Sequence, residues 1–179
     1  GLEALLNPRN WALGLTVLFL ARTNALLFFI NRLNNKTLEE RSYKYLFYNA
    51  IPFVVFFLTF VIWTLIDKGY AVDPETGVVS LVQYKYFFNL IEMPVLLILF
   101  LLGVVAVLAG IIGSMFSKSF RKGIWLSGAG TVITVCTLLL VAGYNNTAYY
   151  PSSTDLQSSL TIFNSSSSEF TLTVMSYVS

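Results

Sequence analysis

Apolar and polar positions along this chain fall into blocks, not stripes. Four long apolar runs stand out: Trp11 to Ile30, Leu46 to Ile66, Phe87 to Phe116 and Ile124 to Val141. None carries a polar face at helical spacing, as a surface helix does. None alternates with a period of two, as the strands of a membrane barrel do. A run of about twenty apolar residues is long enough for a helix to cross a hydrocarbon core of ~30 Å. Asn7-Pro8 is a helix-start signal, with Asn as the capping side chain and Pro at the first helical position. Pro52 lies one turn into the second run. Pro94 lies near the start of the third, and the residue before a proline avoids helical geometry. A helix starting at Pro94 leaves Glu92 at the interface. The pattern predicts an all-α, polytopic transmembrane bundle of four spans, at about 9–32, 46–66, 88–116 and 123–143, in a single membrane domain over 1–179.

The joins between runs carry the charge. Residues 31–45 hold Arg32, Lys36, Arg41 and Lys44 against Glu39 and Glu40. Residues 117–123 hold Lys118, Arg121 and Lys122. The N-terminus, the 67–86 join and the tail from Tyr144 hold only Arg9, Lys68 and Lys85. The positive-inside rule then places 31–45 and 117–123 in the cytoplasm, and the N-terminus, 67–86 and the tail outside. Trp11, Trp63, Tyr70, Trp125, Tyr149 and Tyr150 sit near run ends, as interfacial aromatics do. Asp73-Pro74-Glu75-Thr76-Gly77 reads as a turn.

The tail is Ser-rich over 145–167 and is expected to be an ordered external hairpin. Leu156, Leu160, Ile162 and Phe163 have the spacing of a short amphipathic helix. Ser166 and Glu169 form a capping box ahead of Phe170, Leu172, Val174, Met175 and Val178. This reads as the start of a fifth, truncated helix over 168–179. A short surface helix is the alternative.

Composition sharpens the picture by exclusion. Of 179 residues, 56% are hydrophobic and 11% charged, where soluble domains carry roughly 25% charged residues. The net charge of +2 is too weak to suggest a nucleic-acid partner. There is no histidine, so the usual zinc, copper, non-haem iron and proximal haem ligands are missing, as is the base of most hydrolytic triads. The one cysteine, Cys136, reads as a small packing residue. Gly1 opens the sequence and no signal peptide is recognisable, which reads as a processed or partial chain.

Few polar residues lie inside the runs. Arg22 and Asn24 occupy the first span, where a charge costs roughly 2.5–3.5 kcal/mol. They suit a contact to a cofactor, a quinone or a proton path, or else snorkelling toward the cytoplasmic interface or a structural hydrogen bond. Glu92 is either a proton carrier at the outer mouth of the third span or a solvated carboxylate favoured by a helix start. Gly103, Gly110 and Gly113, with Ala106 and Ala109, give the third span small faces for close packing. Three sequons, at Asn35, Asn145 and Asn164, are short enough to match by chance.

The tail also carries a resemblance. Pro151-Ser152-Ser153-Thr154, Ser159-Leu160-Thr161-Ile162-Phe163-Asn164, Ser166-Ser167 and Thr171-Leu172-Thr173-Val174-Met175 resemble the C-terminal region of subunit II of cytochrome bd-type quinol oxidases. Leu6-Asn7-Pro8, with Gly14, resembles the start of the second half of that subunit. The likeness covers essentially the whole chain. It implies the C-terminal half of a longer subunit of a respiratory oxidase in the bacterial inner membrane. Such a complex oxidises quinol and reduces oxygen to water. The likeness implies a haem-bearing subunit I as partner, membrane lipid and quinone as small-molecule partners, no cofactor on this chain, and a role in assembly and in proton and oxygen access. Ala21-Arg22-Thr23-Asn24-Ala25 departs from the small, Gly-containing stretch of that family, and no catalytic residue carries over. Two rival readings fit less well. Half of a secondary transporter would show helices broken at midplane, but Pro52 and Pro94 lie near span ends. A tetraspanin-type adaptor would require a cysteine-rich external loop.

Overall fold

The computed structural model describes residues 6–117, 119–152 and 155–161. The capping box at Ser166 and Glu169, the helix start expected over 168–179, Asn164, Ile162, Phe163 and Lys118 lie outside them. Helix α1 spans Pro8–Arg32, and Asn7 caps it by accepting from the Arg9 N–H at 3.0 Å. Helix α2 spans Lys36–Ile66 and begins ten residues before its apolar run. Asn35 explains the early start: its side chain accepts from the N–H groups of Thr37 and Leu38 at 3.1 and 3.2 Å. The stretch that follows is rich in Glu, Arg and Lys, which favour helix without needing an apolar face. The asparagine matching a sequon is thus a helix cap.

The join after α2 is a β-hairpin. Strands β1 (Lys68–Val72) and β2 (Val79–Gln83) pair antiparallel, with Val72 opposite Val79. The turn read at Asp73–Gly77 is its tip. The Gly77 N–H donates to the Asp73 carbonyl at 2.8 Å, and Gly77 adopts φ +69°, a conformation open to glycine. The strands themselves were hidden, because neither alternates cleanly in polarity. Helix α3 (Lys85–Glu92) follows, and Met93 separates it from α4 (Pro94–Phe116). The third apolar run is therefore two helices, divided at the residue before the proline. Helix α5 spans Gly123–Gly143.

The tail is ordered only partly as expected. The spacing of Leu156, Leu160, Ile162 and Phe163 suggests a helix, but among the described tail residues one 3-10 turn forms, at Leu156–Ser158. Paired backbone bonds between Tyr150 and Leu160 close the loop. Asp155 accepts from the Gln157 N–H, a local bond that competes with a longer helix. Four helices, α1, α2, α4 and α5, are long and apolar enough to cross a membrane, and the chain is a multi-pass membrane protein.

The chain forms two compact units: Gly1–Thr64 with Ile98–Val135, and Leu65–Leu97 with Cys136–Ser179. The core of the first gathers Leu27 and Ile30 from α1, Leu46, Ala50 and Phe53 from α2, and Val107 and Ile111 from α4. Here α4 and α5 pack through glycine. A Cβ on Gly130 would stand 2.6 Å from the Gly103 carbonyl, and one on Gly110 would stand 2.6 Å from the Gly123 carbonyl. Between membrane helices such close approach supplies the dispersion that apolar burial cannot. The buried positions of α5 are Gly123, Ser127, Gly130, Thr134, Thr137 and Val141, a stripe of small residues. Cys136 falls off this stripe and is exposed, contrary to its reading as a packing residue.

The second unit is a polar assembly. The Val72 N–H donates to the Asn146 carbonyl at 2.8 Å, and the Ala148 N–H donates to the Tyr70 carbonyl at 2.9 Å, adding the tail to the hairpin. Val72, Val79 and Ala148 form its small apolar core, with Tyr70 packed against it. Gln157 clasps β2, accepting from the Val79 N–H at 3.2 Å and donating to the Val79 carbonyl at 3.1 Å.

Candidate functional site

The polar residues of α1 have different surroundings. Arg22 is exposed on the helix surface. It lies ten residues short of Arg32, about 15 Å by helical rise. Asn24 is half-buried and accepts from the Ser127 hydroxyl of α5 at 2.6 Å. Ser127 is fully buried, and its own carbonyl accepts from the Thr131 hydroxyl at 2.7 Å. Thr23, between Arg22 and Asn24, is fully buried, and its hydroxyl has no hydrogen-bond partner among the described residues. Arg22 and Asn24 thus share a helix without sharing a site.

Where α1 ends, Arg121 gathers three segments of the first unit. Its guanidinium pairs with Glu39 at 2.8 Å and donates to the Leu33 carbonyl at 3.0 Å. Its own carbonyl accepts from the Asn31 side chain at 3.0 Å. The joins 31–45 and 117–123 are therefore tied together by one residue. Leu33 caps α1, so the guanidinium also satisfies a carbonyl that a helix end leaves open.

Glu92 belongs to the second unit. It is exposed at the end of α3 and accepts a short hydrogen bond from the Asn145 side chain. Asn145 also donates to the Asn89 side-chain oxygen at 3.2 Å. Asn89 is fully buried and donates to the Val141 carbonyl at 3.0 Å and to the Thr147 hydroxyl at 2.8 Å. Val141 lies in the last turn of α5, whose final carbonyls have no partner within the helix. Asn89 thus closes the end of α5 from another helix. Lys85 Nζ donates to the Asn145 carbonyl at 2.8 Å. Burial pushes the Lys85 ammonium below its ordinary value, and the Glu92 carboxylate pulls it back up. Asn145 and Asn146 hold left-handed conformations, φ 59° and 54°, which asparagine tolerates better than most residues.

Of the three sequence candidates, Arg22 and Asn24 fall in the first unit and Glu92 in the second. Sequence reasoning missed Asn89, Lys85, Asn145, Ser127 and the capping role of Arg121. The signal for the first two was present. Lys85, Asn89 and Glu92 follow the i, i+4, i+7 spacing of one helical face. The chain has no histidine, Cys136 is exposed, and no three His, Cys, Asp or Glu come together among the described residues.

The family model for cytochrome bd terminal oxidase subunit II matches the chain over residues 1–179. The chain therefore belongs to that family, part of a haem-containing oxidase complex. No curated protein matches it.

Proposed function

We propose that this chain is the haem-free membrane scaffold of a respiratory quinol oxidase. A haem-bearing subunit I would be its partner and would carry quinol oxidation and the reduction of oxygen to water. The observation that carries the proposal is a family match over the whole chain in a sequence without histidine. On this reading the chain's residues position helices and conduct no electrons. Haem, held by the partner, supplies the redox chemistry. The glycine seam of α4 and α5, the Asn24–Ser127 pair and the Arg121 latch hold the spans in register. The exposed apolar sides of the spans meet lipid and the partner. Support for proton and oxygen access rests on the family reading alone, with Arg22, Asn24 and Glu92 as the polar candidates.

The same proposal fixes an orientation in a bacterial inner membrane. The two basic joins lie in the cytoplasm, and the N-terminus, the hairpin and the tail lie outside. Two pairings favour it: Arg121 ties the basic joins to each other, and backbone bonds tie the hairpin to the tail. The charge difference then sets direction.

The decisive experiment is purification of the protein from its native membrane, followed by a reduced-minus-oxidised visible spectrum. Haem bands in a co-purifying subunit are the expected result. A pure preparation without any haem-bearing partner overturns the oxidase reading. Cysteine labelling at Lys122 and Glu75 in intact cells tests the orientation, with only position 75 expected to react.

A further inference from the structure

Helix α3 is built inside out. The side facing its own unit buries the amide of Asn89 together with Tyr86 and Leu90. The opposite side exposes Phe87, Phe88 and Ile91, at 42, 50 and 51% of their surface. Tyr84, which precedes the helix, falls on the same outward arc at helical spacing and is also exposed. Lys85 and Glu92 lie along one border of this arc. The helix cannot simply turn over. Asn89 is held by Val141 and Thr147, Lys85 by the Asn145 carbonyl, and Glu92 by the Asn145 amide. The polar network fixes the inward face, and the aromatic face must look out.

We propose that this outward face lies in the headgroup–acyl boundary of the bilayer, where it anchors the chain beside the entry point of α4. The occupant is lipid. Three observations favour it. Eight residues rise about 12 Å, far too short to cross the membrane, so α3 must lie at or near its surface. Aromatic side chains on one arc, with a lysine at its edge, are the makeup of an interfacial helix. The arc is also continuous in sequence with an exposed apolar side of α4, a membrane-spanning helix, at Val95, Ile98 and Leu102. The inference needs only that α4 crosses a membrane and does not depend on the oxidase reading.

The test uses the protein purified from its native membrane, placed in nanodiscs with a phospholipid that carries a diazirine. In one preparation the diazirine sits near the glycerol, and in the other at the acyl end. After irradiation, labelled positions are mapped by mass spectrometry. Phe87, Phe88 and Ile91 should label more from the glycerol position than from the acyl end, and Leu102 should show the reverse. Labelling of Val95 to Leu102 with none at 87, 88 and 91 overturns the proposal, because water or a protein then covers the face. A second measurement uses a nitroxide at position 88 in F88C/C136S. Relaxation by oxygen should exceed that by a water-soluble nickel chelate, and a ratio equal to that of a nitroxide at Glu75 overturns the proposal. The haem spectrum of the same sample reports separately on the oxidase reading.

Discussion

The two units of this chain solve the same problem with different chemistry. Both must join helix ends and helix sides where water offers little help. The first unit does so by removing side chains. Gly103, Gly110, Gly123 and Gly130 let two backbones approach until a single added carbon would collide. The second unit does so by placing amides. Asn89 alone reaches the end of α5 and the tail. Each strategy fails differently: a seam of glycines fails by addition, a knot of amides by subtraction. The largest effect is expected at Gly123, where a Cβ would overlap the Ser114 hydroxyl and the Gly110 carbonyl. Gly123→Ala should cost about 1–3 kcal/mol or more, because backbone cannot yield as a flexible side chain does. Gly128→Ala, on the same helix with nothing within 4 Å, should leave stability unchanged or slightly raised. Denaturation of both variants in one detergent checks the pair. Equal effects would show that the seam is not close-packed.

The amide strategy can be broken with a matched pair of asparagines. Asn89 and Asn49 are both buried. Among the described residues, however, the amide of Asn49 donates only to the Tyr45 carbonyl of its own helix, at 2.7 Å. Asn89→Leu strands the Val141 carbonyl and takes a donor from the Thr147 hydroxyl, which keeps only its bond to the Asn145 carbonyl, and a buried polar group left unpaired costs about 1–3 kcal/mol. Asn49→Leu strands little, since that carbonyl keeps its helical partner, and should be close to neutral. A proteolysis assay of the hairpin and tail reads the difference directly: Asn89→Leu should expose them to cleavage and Asn49→Leu should not.

The same contrast explains what the sequence could reveal. Spans were legible because length and apolar content are summed over many residues, so single errors average out. The α4 glycines were legible because smallness at one-face spacing is a property of the residues themselves. The α5 stripe of Gly123, Ser127, Gly130, Thr134 and Thr137 had the same signal, diluted by three hydroxyl residues. The amide knot was illegible in a different way. Asn89 has four neighbours in the structure that lie more than fifty residues away in sequence, and no local pattern encodes such a pairing. The division at Met93 was foreseeable from Pro94, whereas the hairpin was not, because its strands are short and borrow stability from the tail. Arg22 and Glu92 drew attention as charges, yet the structure gives both exposed positions.

Arg121 stands between the two strategies, as a polar latch in the glycine unit. It is a partly exposed ion pair with Glu39, and such pairs contribute about 0.2–1 kcal/mol. Arg121→Gln should therefore cost less than Asn89→Leu, and its cost should shrink as salt is added. A salt-independent loss would mean that the bond to the Leu33 carbonyl, not the pair, carries the effect.

The smallest effect lies at the hairpin tip, where polar bonds meet water. The Thr76 hydroxyl donates to the Asp73 carboxylate at 2.7 Å, and the Glu75 N–H donates to it at 3.0 Å. These bonds favour the ionised form and hold the Asp73 carboxyl below its ordinary value, with Thr76 the larger cause. The sign of the linkage follows. A carboxylate depressed in the folded state adds its stability above the ordinary carboxylate pKa and loses it as pH falls through the depressed value. Acid should therefore loosen the hairpin tip, while the glycine seam, which has no titrating group, should not respond. Thr76→Val should move the Asp73 titration up toward the ordinary range, with only a slight change in global stability, because the group is fully exposed. Carbon-13 carboxyl NMR with labelled aspartate can follow it, since the chain has only Asp67, Asp73 and Asp155. An unchanged titration in Thr76→Val would shift the cause to the Glu75 N–H, and the tip would then owe its pH response to backbone alone.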